Sequence, residues 1–151
     1  MTRHLTTRLG LAIAMVVGVG LSAPRLVAQD GTDSTDEVDG IDGGMRSTLE
    51  GVYTEEQADR GQELMWDICA ECHFEEDYQG PFMQDWMGAS VWGLFDSIWS
   101  TMPEDSPGGL PLTDYADAIA YMFRLNGLPA GDEELGTEQD VLDRIKIEWE
   151  P

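Results

Sequence analysis

Apolar residues recur at helical spacing in three parts of the chain. The patterns begin after Thr54, Ser90 and Thr113, residues that suit the N-cap of a helix, and Thr54 with Gln57 also matches a capping box. Gly127 ends the third pattern, as expected at a helix stop. No segment resembles a pair of strands, so an all-α domain with three main helices is predicted. The stripes are Ala58, Gly61, Met65, Ile68, Cys69 and Cys72, then Val91, Leu94, Phe95 and Ile98 within 90–100, then Tyr115, Ala118, Ile119, Met122 and Leu125 within 113–126.

Residues 1–28 have the layout of a secretory signal peptide. Basic residues at the start, Arg3 and Arg8, precede an uncharged apolar run over 9–21, and small residues follow up to a cleavage site after Ala28. The apolar run is shorter than the roughly 20 residues of a spanning helix, which favours cleavage over a retained membrane anchor. Both outcomes predict export, for example to the periplasm, with no stable membrane insertion once the signal is removed.

The rest of the chain divides into a linker and one small domain. Residues 29–50 are rich in Asp, Glu and Gly, and ordering them would cost entropy that burial cannot offset. We therefore predict an acidic linker without a fold over 29–50 and a domain over 51–151. A helical turn is expected after Thr137, and Ile145 and Ile147 alternate with charged residues in an extended piece.

The formal charge of −22 restricts the possible partners. The signal region contains no Asp or Glu before Asp30, so the mature protein is even more acidic. Such a surface disfavours nucleic acid and anionic membranes, and it favours a partner with a basic docking patch. Solubility in a salty environment is the alternative explanation, because salt screens dense acidic charge.

The strongest chemical signal is Cys69-Ala70-Glu71-Cys72-His73, a Cys-x-x-Cys-His sequence. This spacing is the attachment sequence of c-type haem. Both thiols can form thioether bonds to the two vinyl groups of one porphyrin, and His73 then becomes an axial ligand of the iron. Cys69 and Cys72 are the only cysteines, and His73 is the only histidine after the predicted cleavage site.

Three other interpretations of this motif are weaker. A Cys69–Cys72 disulfide is compatible with an exported protein, but the adjacent His73 favours haem. Zinc prefers four ligands, and no further cysteine or mature histidine is present to complete the set. A thioredoxin-like redox motif would require a surrounding βαβ pattern, which the sequence lacks.

The second axial ligand is predicted to be a methionine, because no second histidine remains after cleavage. Met102 is favoured, since it follows the second main helix and begins a loop rich in Pro and Gly that could hold its thioether against the iron. Met83, Met87 and an open site are the alternatives. Core packing is the better prediction for Met65 and Met122, and Met45 lies in the linker.

With these motifs in this order, residues 53–147 resemble a class I monohaem cytochrome c. The resemblance is greatest to the small bacterial periplasmic cytochromes and modules that serve quinoprotein dehydrogenases. It implies a small cytochrome c fold, in which three main helices and loops wrap around one covalently bound haem c. The stretches that carry it are Gln57-Ala58-Asp59-Arg60-Gly61, the haem motif, Thr101-Met102-Pro103, Pro107-Gly108-Gly109-Leu110, Tyr115, Ala120-Tyr121 and Asn126-Gly127-Leu128-Pro129-Ala130-Gly131.

The resemblance also implies roles for residues outside the motif. Gly61 would cross the last main helix near Ala118 and Tyr121. Pro81 would accept a hydrogen bond from His73 through its carbonyl, which would orient the ring. Three tryptophans could equally pack in the core or lie beside the haem: Trp86, Trp92 and Trp99. The chain departs from the family pattern at Phe74, where glycine is common, and at Met65, where an aromatic residue is frequent.

The implied function is one-electron transfer, with no catalytic residue and no enzymatic activity of its own. The protein would act as a monomeric carrier between a dehydrogenase and an oxidase or another cytochrome. The alternative is a haem enzyme or gas sensor, in which the sixth iron position is open or easily vacated.

Overall fold

Helices dominate the structure, which is a computed structural model that describes residues 44–151. The predicted signal peptide and most of the predicted linker therefore lie outside the described residues. The prediction of a mainly helical domain is confirmed. None of the described helices is both long and apolar enough to cross a membrane. The helices are α1 (Glu55–Asp67), α2 (Pro81–Trp86), α3 (Val91–Thr101), α4 (Leu112–Leu125) and α5 (Gln139–Leu142).

Helix α1 begins where the sequence predicts, but its capping box is incomplete. The Thr54 hydroxyl accepts a hydrogen bond from the Gln57 amide at 3.1 Å. The Gln57 side chain is buried and bonds the backbone of Leu135 instead, donating to its carbonyl at 2.9 Å and accepting from its amide at 2.7 Å. Gln57 therefore ties α1 to a distant loop rather than closing its own first turn.

Helices α1 and α4 pack closely, and Gly61 permits the contact. A Cβ atom at Gly61 would collide with the backbone carbonyl of Asp117 and would lie 3.0 Å from Cβ of Tyr121. Arg60 strengthens the same crossing, because its Nε and Nη2 atoms donate to both oxygens of Asp117 at 2.8 and 3.0 Å. The predicted approach of Gly61 to the last main helix is confirmed.

The N-terminus of α4 differs from the prediction. The N-cap is Pro111 rather than Thr113, so Thr113 lies inside the first turn. Pro111 supplies no side-chain cap, and its backbone is extended, with φ of −54° and ψ of 145°. At the other end, Gly127 has a φ of +77° and ends the helix as predicted.

Two predictions about the chain ends are wrong. Arg46–Ser47 forms a short parallel ladder with Ile145–Lys146, although no strand pair was expected. The end of the predicted linker therefore belongs to the fold. Thr48 is buried, and its hydroxyl donates to the Glu148 carbonyl at 2.6 Å and accepts from the Glu148 amide at 2.9 Å. Strands of two residues are too short to show periodicity in a sequence.

The core lies between α3, α4 and the C-terminal segment. Its largest fully buried side chains include Tyr53, Leu94, Phe95, Ile119 and Phe123. The C-terminal piece contains the short strand Ile145–Lys146, in line with the predicted extended conformation, and its Ile145 and Ile147 side chains are buried in this core. A backbone hydrogen bond of 2.8 Å from the Ile147 amide to the Ala89 carbonyl holds this piece beside the start of α3.

Candidate functional site

A cavity of about 1120 Å³ is bordered by α1, α2, α3, α4 and the loops after α1 and α3. Its volume slightly exceeds the usual range for ligand sites, which is about 300–1,000 Å³. Cys69, Cys72, His73 and Met102 all line it, although Met102 is distant from the motif in sequence. Most other wall residues are apolar or aromatic: Leu64, Met65, Ile68, Tyr78, Phe82, Trp86, Leu94, Ile98, Leu110, Tyr115, Ala118 and Met122.

The Cys-x-x-Cys-His motif forms a tight turn after α1. The helix ends at Asp67, and Cys69–Glu71 is a 3₁₀ helix. The Cys69 carbonyl accepts hydrogen bonds from the amides of Cys72 at 3.1 Å and His73 at 2.9 Å. The motif thus lies just beyond the helix on which the sequence placed it, and Cys72 is exposed rather than buried. Both thiols are free, and burial raises the pKa of Cys69.

The His73 ring lies between aromatic and acidic neighbours. Its centroid is 5.5 Å from that of the Tyr78 ring. Its Nδ1 atom lies 4.0 Å from Oδ2 of Asp77, and the Phe74 amide holds that oxygen with a hydrogen bond of 2.9 Å. Burial raises the pKa of Tyr78 above its usual range.

Pro81 does not line either of the two pockets that His73 borders. Pro81 is exposed at the first position of α2, where its fixed φ suits a helix start, and it does not line the cavity. The next residue, Phe82, lines the cavity instead. Within residues 44–151 no hydrogen bond joins the His73 ring to a carbonyl, so the role expected for Pro81 is not supported.

Met102 directly follows α3 as its C-cap, and its backbone is held from two sides. Its amide donates to the Ile98 carbonyl at 2.8 Å. Its carbonyl accepts from the Tyr115 hydroxyl at 2.9 Å and from the Gly108 amide at 3.3 Å. The Tyr115 hydroxyl also accepts from the Leu110 amide at 3.3 Å, so one side chain of α4 joins both ends of the loop. From the sequence, Tyr115 was predicted on an apolar stripe and within the stretches that carry the resemblance, but this hydrogen-bonding role was not predicted.

The other methionines occupy different environments. Met83 is fully buried in the core and Met87 is exposed, and neither lines the cavity. Met65 in α1 and Met122 in α4 are buried, and both form part of the cavity wall. Of the three methionines considered as ligands from the sequence, only Met102 borders the same cavity as His73.

One of the three tryptophans lines the cavity. Trp86, at the end of α2, is part of the wall. Trp92 stacks on Phe95 with ring centroids 5.5 Å apart and an interplanar angle of 15°. Trp99 packs against the core, close to Gly108 of the Met102 loop. Neither Trp92 nor Trp99 lines the cavity.

Asn126, just after α4, connects the loop that follows the motif to the helix pair. Its Oδ1 atom accepts from the Gly80 amide at 2.9 Å, and its Nδ2 atom donates to the Tyr78 carbonyl at 2.7 Å. These bonds hold Tyr78 beside His73. From the sequence, Asn126 was only the last residue of the third helix and part of a stretch that carries the resemblance, so these hydrogen bonds were not predicted.

The rim of the cavity is acidic. Carboxylates are supplied by α1, the motif, the Met102 loop and α4. No group of three or more His, Cys, Asp and Glu residues is arranged to hold a metal ion within the described part of the chain. The acidic rim residues are Asp67, Glu71, Glu104, Asp105 and Asp114.

Comparisons with protein-family models, characterised proteins and solved structures give no significant match for this chain.

Proposed function

We propose that this protein is an exported one-electron carrier with a single covalently bound haem c, of the class I monohaem cytochrome type. The observation that carries the proposal is the joint position of Cys69, Cys72, His73 and Met102 on one largely apolar cavity. The first three form the attachment sequence. His and Met are the ligand pair of electron-transfer cytochromes c.

The residues present fit this cofactor. Cys69 and Cys72 are free thiols and would form the two thioether bonds. His73 and Met102 would be the axial ligands, and the apolar wall would exclude water from the ring. When bound, the haem iron supplies reversible one-electron oxidation and reduction. The chain itself contributes fixed ligands and a dry pocket, and electron transfer requires no acid or base from it.

The proposed cellular role combines this site with the N-terminal sequence pattern. A signal peptide over residues 1–28 would deliver the chain to the periplasm or an equivalent compartment. There the protein would pass electrons from a dehydrogenase, such as a quinoprotein dehydrogenase, to an oxidase or another cytochrome. Its expected partners are redox proteins with basic docking patches.

Covalent attachment is the first experiment. The full chain, co-expressed with a c-type haem maturation system, should retain haem after acidified-solvent extraction and show the pyridine haemochrome spectrum of a c-type cytochrome. Replacing both Cys69 and Cys72 by serine should abolish retention. Replacing Ser97, which also borders the cavity, by alanine is the control and should leave retention intact. Haem-free wild-type protein from such cells would contradict the proposal.

The axial ligand is tested by Met102→Ala. This change should remove the weak near-infrared methionine–iron band of the ferric protein and lower the reduction potential, because thioether ligation favours ferrous iron. Met87→Ala, outside the cavity, should change neither. Rapid carbon monoxide binding by the reduced wild-type protein would instead favour the haem enzyme or gas sensor.

A further inference from the structure

Two aromatic side chains beside the haem motif are exposed to solvent. Trp66, in the last turn of α1, is 62% exposed, and Phe74, directly after His73, is 75% exposed. Both line a small cleft together with Ala70, Cys69 and His73. Among residues 44–151 they are the only aromatic side chains in the exposed hydrophobic group. We name Trp66, Phe74 and Ala70 the aromatic patch.

The charged side chains that adjoin the aromatic patch in sequence are all acidic. No lysine or arginine occurs between Arg60 and Arg124. Exposed carboxylates adjoin the patch in sequence on both sides. The arginines that bound this stretch lie in ion pairs, Arg60 with Asp117 and Arg124 with Asp59. The carboxylates are Glu63, Asp67, Glu71, Glu75, Glu76 and Asp77.

We infer that the aromatic patch is the docking site of a redox partner whose surface is basic and presents an apolar side chain at its centre. The inference rests on the proposed function, because it assigns a role to a patch beside the expected haem attachment. Tryptophan is enriched among the residues that dominate binding energy, and aromatic groups at an interface centre suit this role. The surrounding carboxylates would attract lysine and arginine and speed the encounter.

The charge distribution argues against other occupants. A second copy of this chain would bring like charges together around the same patch, which opposes association. An anionic lipid surface would be repelled for the same reason. A basic protein is the occupant that both the apolar centre and the acidic border favour.

The test measures electron exchange by stopped-flow spectroscopy with two reagents. The probe is a lysine-rich mitochondrial-type cytochrome c, and ferricyanide is the small reagent that needs no docking surface. The double variant Trp66→Ala and Phe74→Ala should exchange electrons with the basic cytochrome roughly ten-fold more slowly at low salt, as expected when about 1.4 kcal/mol of encounter-complex binding is lost. Its rate with ferricyanide should not change.

Val141→Ala is the matched control, since Val141 is exposed on α5 and far from the motif in sequence. This variant should match the wild-type protein with both reagents. Equal rates for the double variant and wild type with the basic cytochrome would overturn the inference, as would a concentration-dependent wild-type dimer that the double variant loses. Failure of the wild-type protein to react with ferricyanide would instead count against the proposed function.

Discussion

At the scale of residues, the candidate site depends on side chains that position the predicted ligands as well as on those ligands themselves. Tyr115 connects Met102 to Leu110, and Asn126 holds Tyr78 beside His73. Neither residue belongs to the haem motif or to the Pro- and Gly-rich loop. Such a hydrogen bond usually contributes about 1 kcal/mol to stability. By orienting a metal ligand, it can change the affinity for the metal by more than that energy.

Tyr115→Phe tests this positioning role. The change removes the donor to the Met102 carbonyl and the acceptor of the Leu110 amide. We expect about 1–2 kcal/mol lower unfolding free energy. In the ferric haem protein the methionine–iron band should weaken, and added imidazole should displace Met102 at lower concentration.

Tyr53→Phe is the control for Tyr115→Phe. Tyr53 is fully buried and donates to the Leu128 carbonyl at 2.7 Å, and Tyr53 does not line the cavity. This variant should lose similar stability without a spectral change. If both variants alter the band equally, Tyr115 acts through general stability and not through Met102.

At the scale of elements, the α1–α4 pair is the framework of the site. Helix α1 ends at the motif, and α4 supplies Tyr115 together with the wall residues Ala118 and Met122. The spacing between the helices is set where Gly61 meets the backbone of Asp117. A change in that spacing would therefore alter the cavity.

Gly61→Ala should separate these helices despite the higher helix propensity of alanine. The added Cβ meets backbone, which cannot move aside as a flexible side chain could. We expect a loss of about 3 kcal/mol, at the upper end of typical overpacking costs. Urea unfolding monitored by circular dichroism measures it.

Gly93→Ala provides the comparison within another helix. Gly93 lies in α3, and a Cβ there would meet only ordinary contacts, with Ser90 Oγ at 3.7 Å and Trp86 Cζ3 at 3.9 Å. This variant should be as stable as wild type or up to about 1 kcal/mol more stable, because alanine favours helix over glycine. Equal destabilisation of both variants would show that close packing against α4 is not the reason that position 61 requires glycine.

At the scale of the whole molecule, charge repulsion opposes the fold. The formal net charge is −22, and described basic side chains such as Arg60, Arg124 and Lys146 already lie in ion pairs. Exposed ion pairs contribute only about 0–1 kcal/mol each. Repulsion among the remaining carboxylates should therefore outweigh the attraction in these pairs.

Sodium chloride should therefore stabilise the protein. Raising its concentration from 0.01 M to 1 M shortens the screening length from about 30 Å to about 3 Å. Differential scanning calorimetry should show a thermal midpoint that rises over this range. Sucrose at matched water activity is the control for general solvent effects. A midpoint that falls with sodium chloride would mean that the ion pairs dominate.

Local patterns in the sequence were sufficient to predict the helical class, the starts of α1 and α3 and the stop at Gly127, because caps and periodicity act over a few residues. Tertiary structure decided the Arg46–Ser47 ladder, the cap at Pro111, the exclusion of Pro81 from the cavity and the roles of Tyr115 and Asn126. These features join positions far apart in the chain or replace one possible local partner by another. Whether such contacts form depends on which surfaces the packing of α1 against α4 brings together, and no local pattern encodes that.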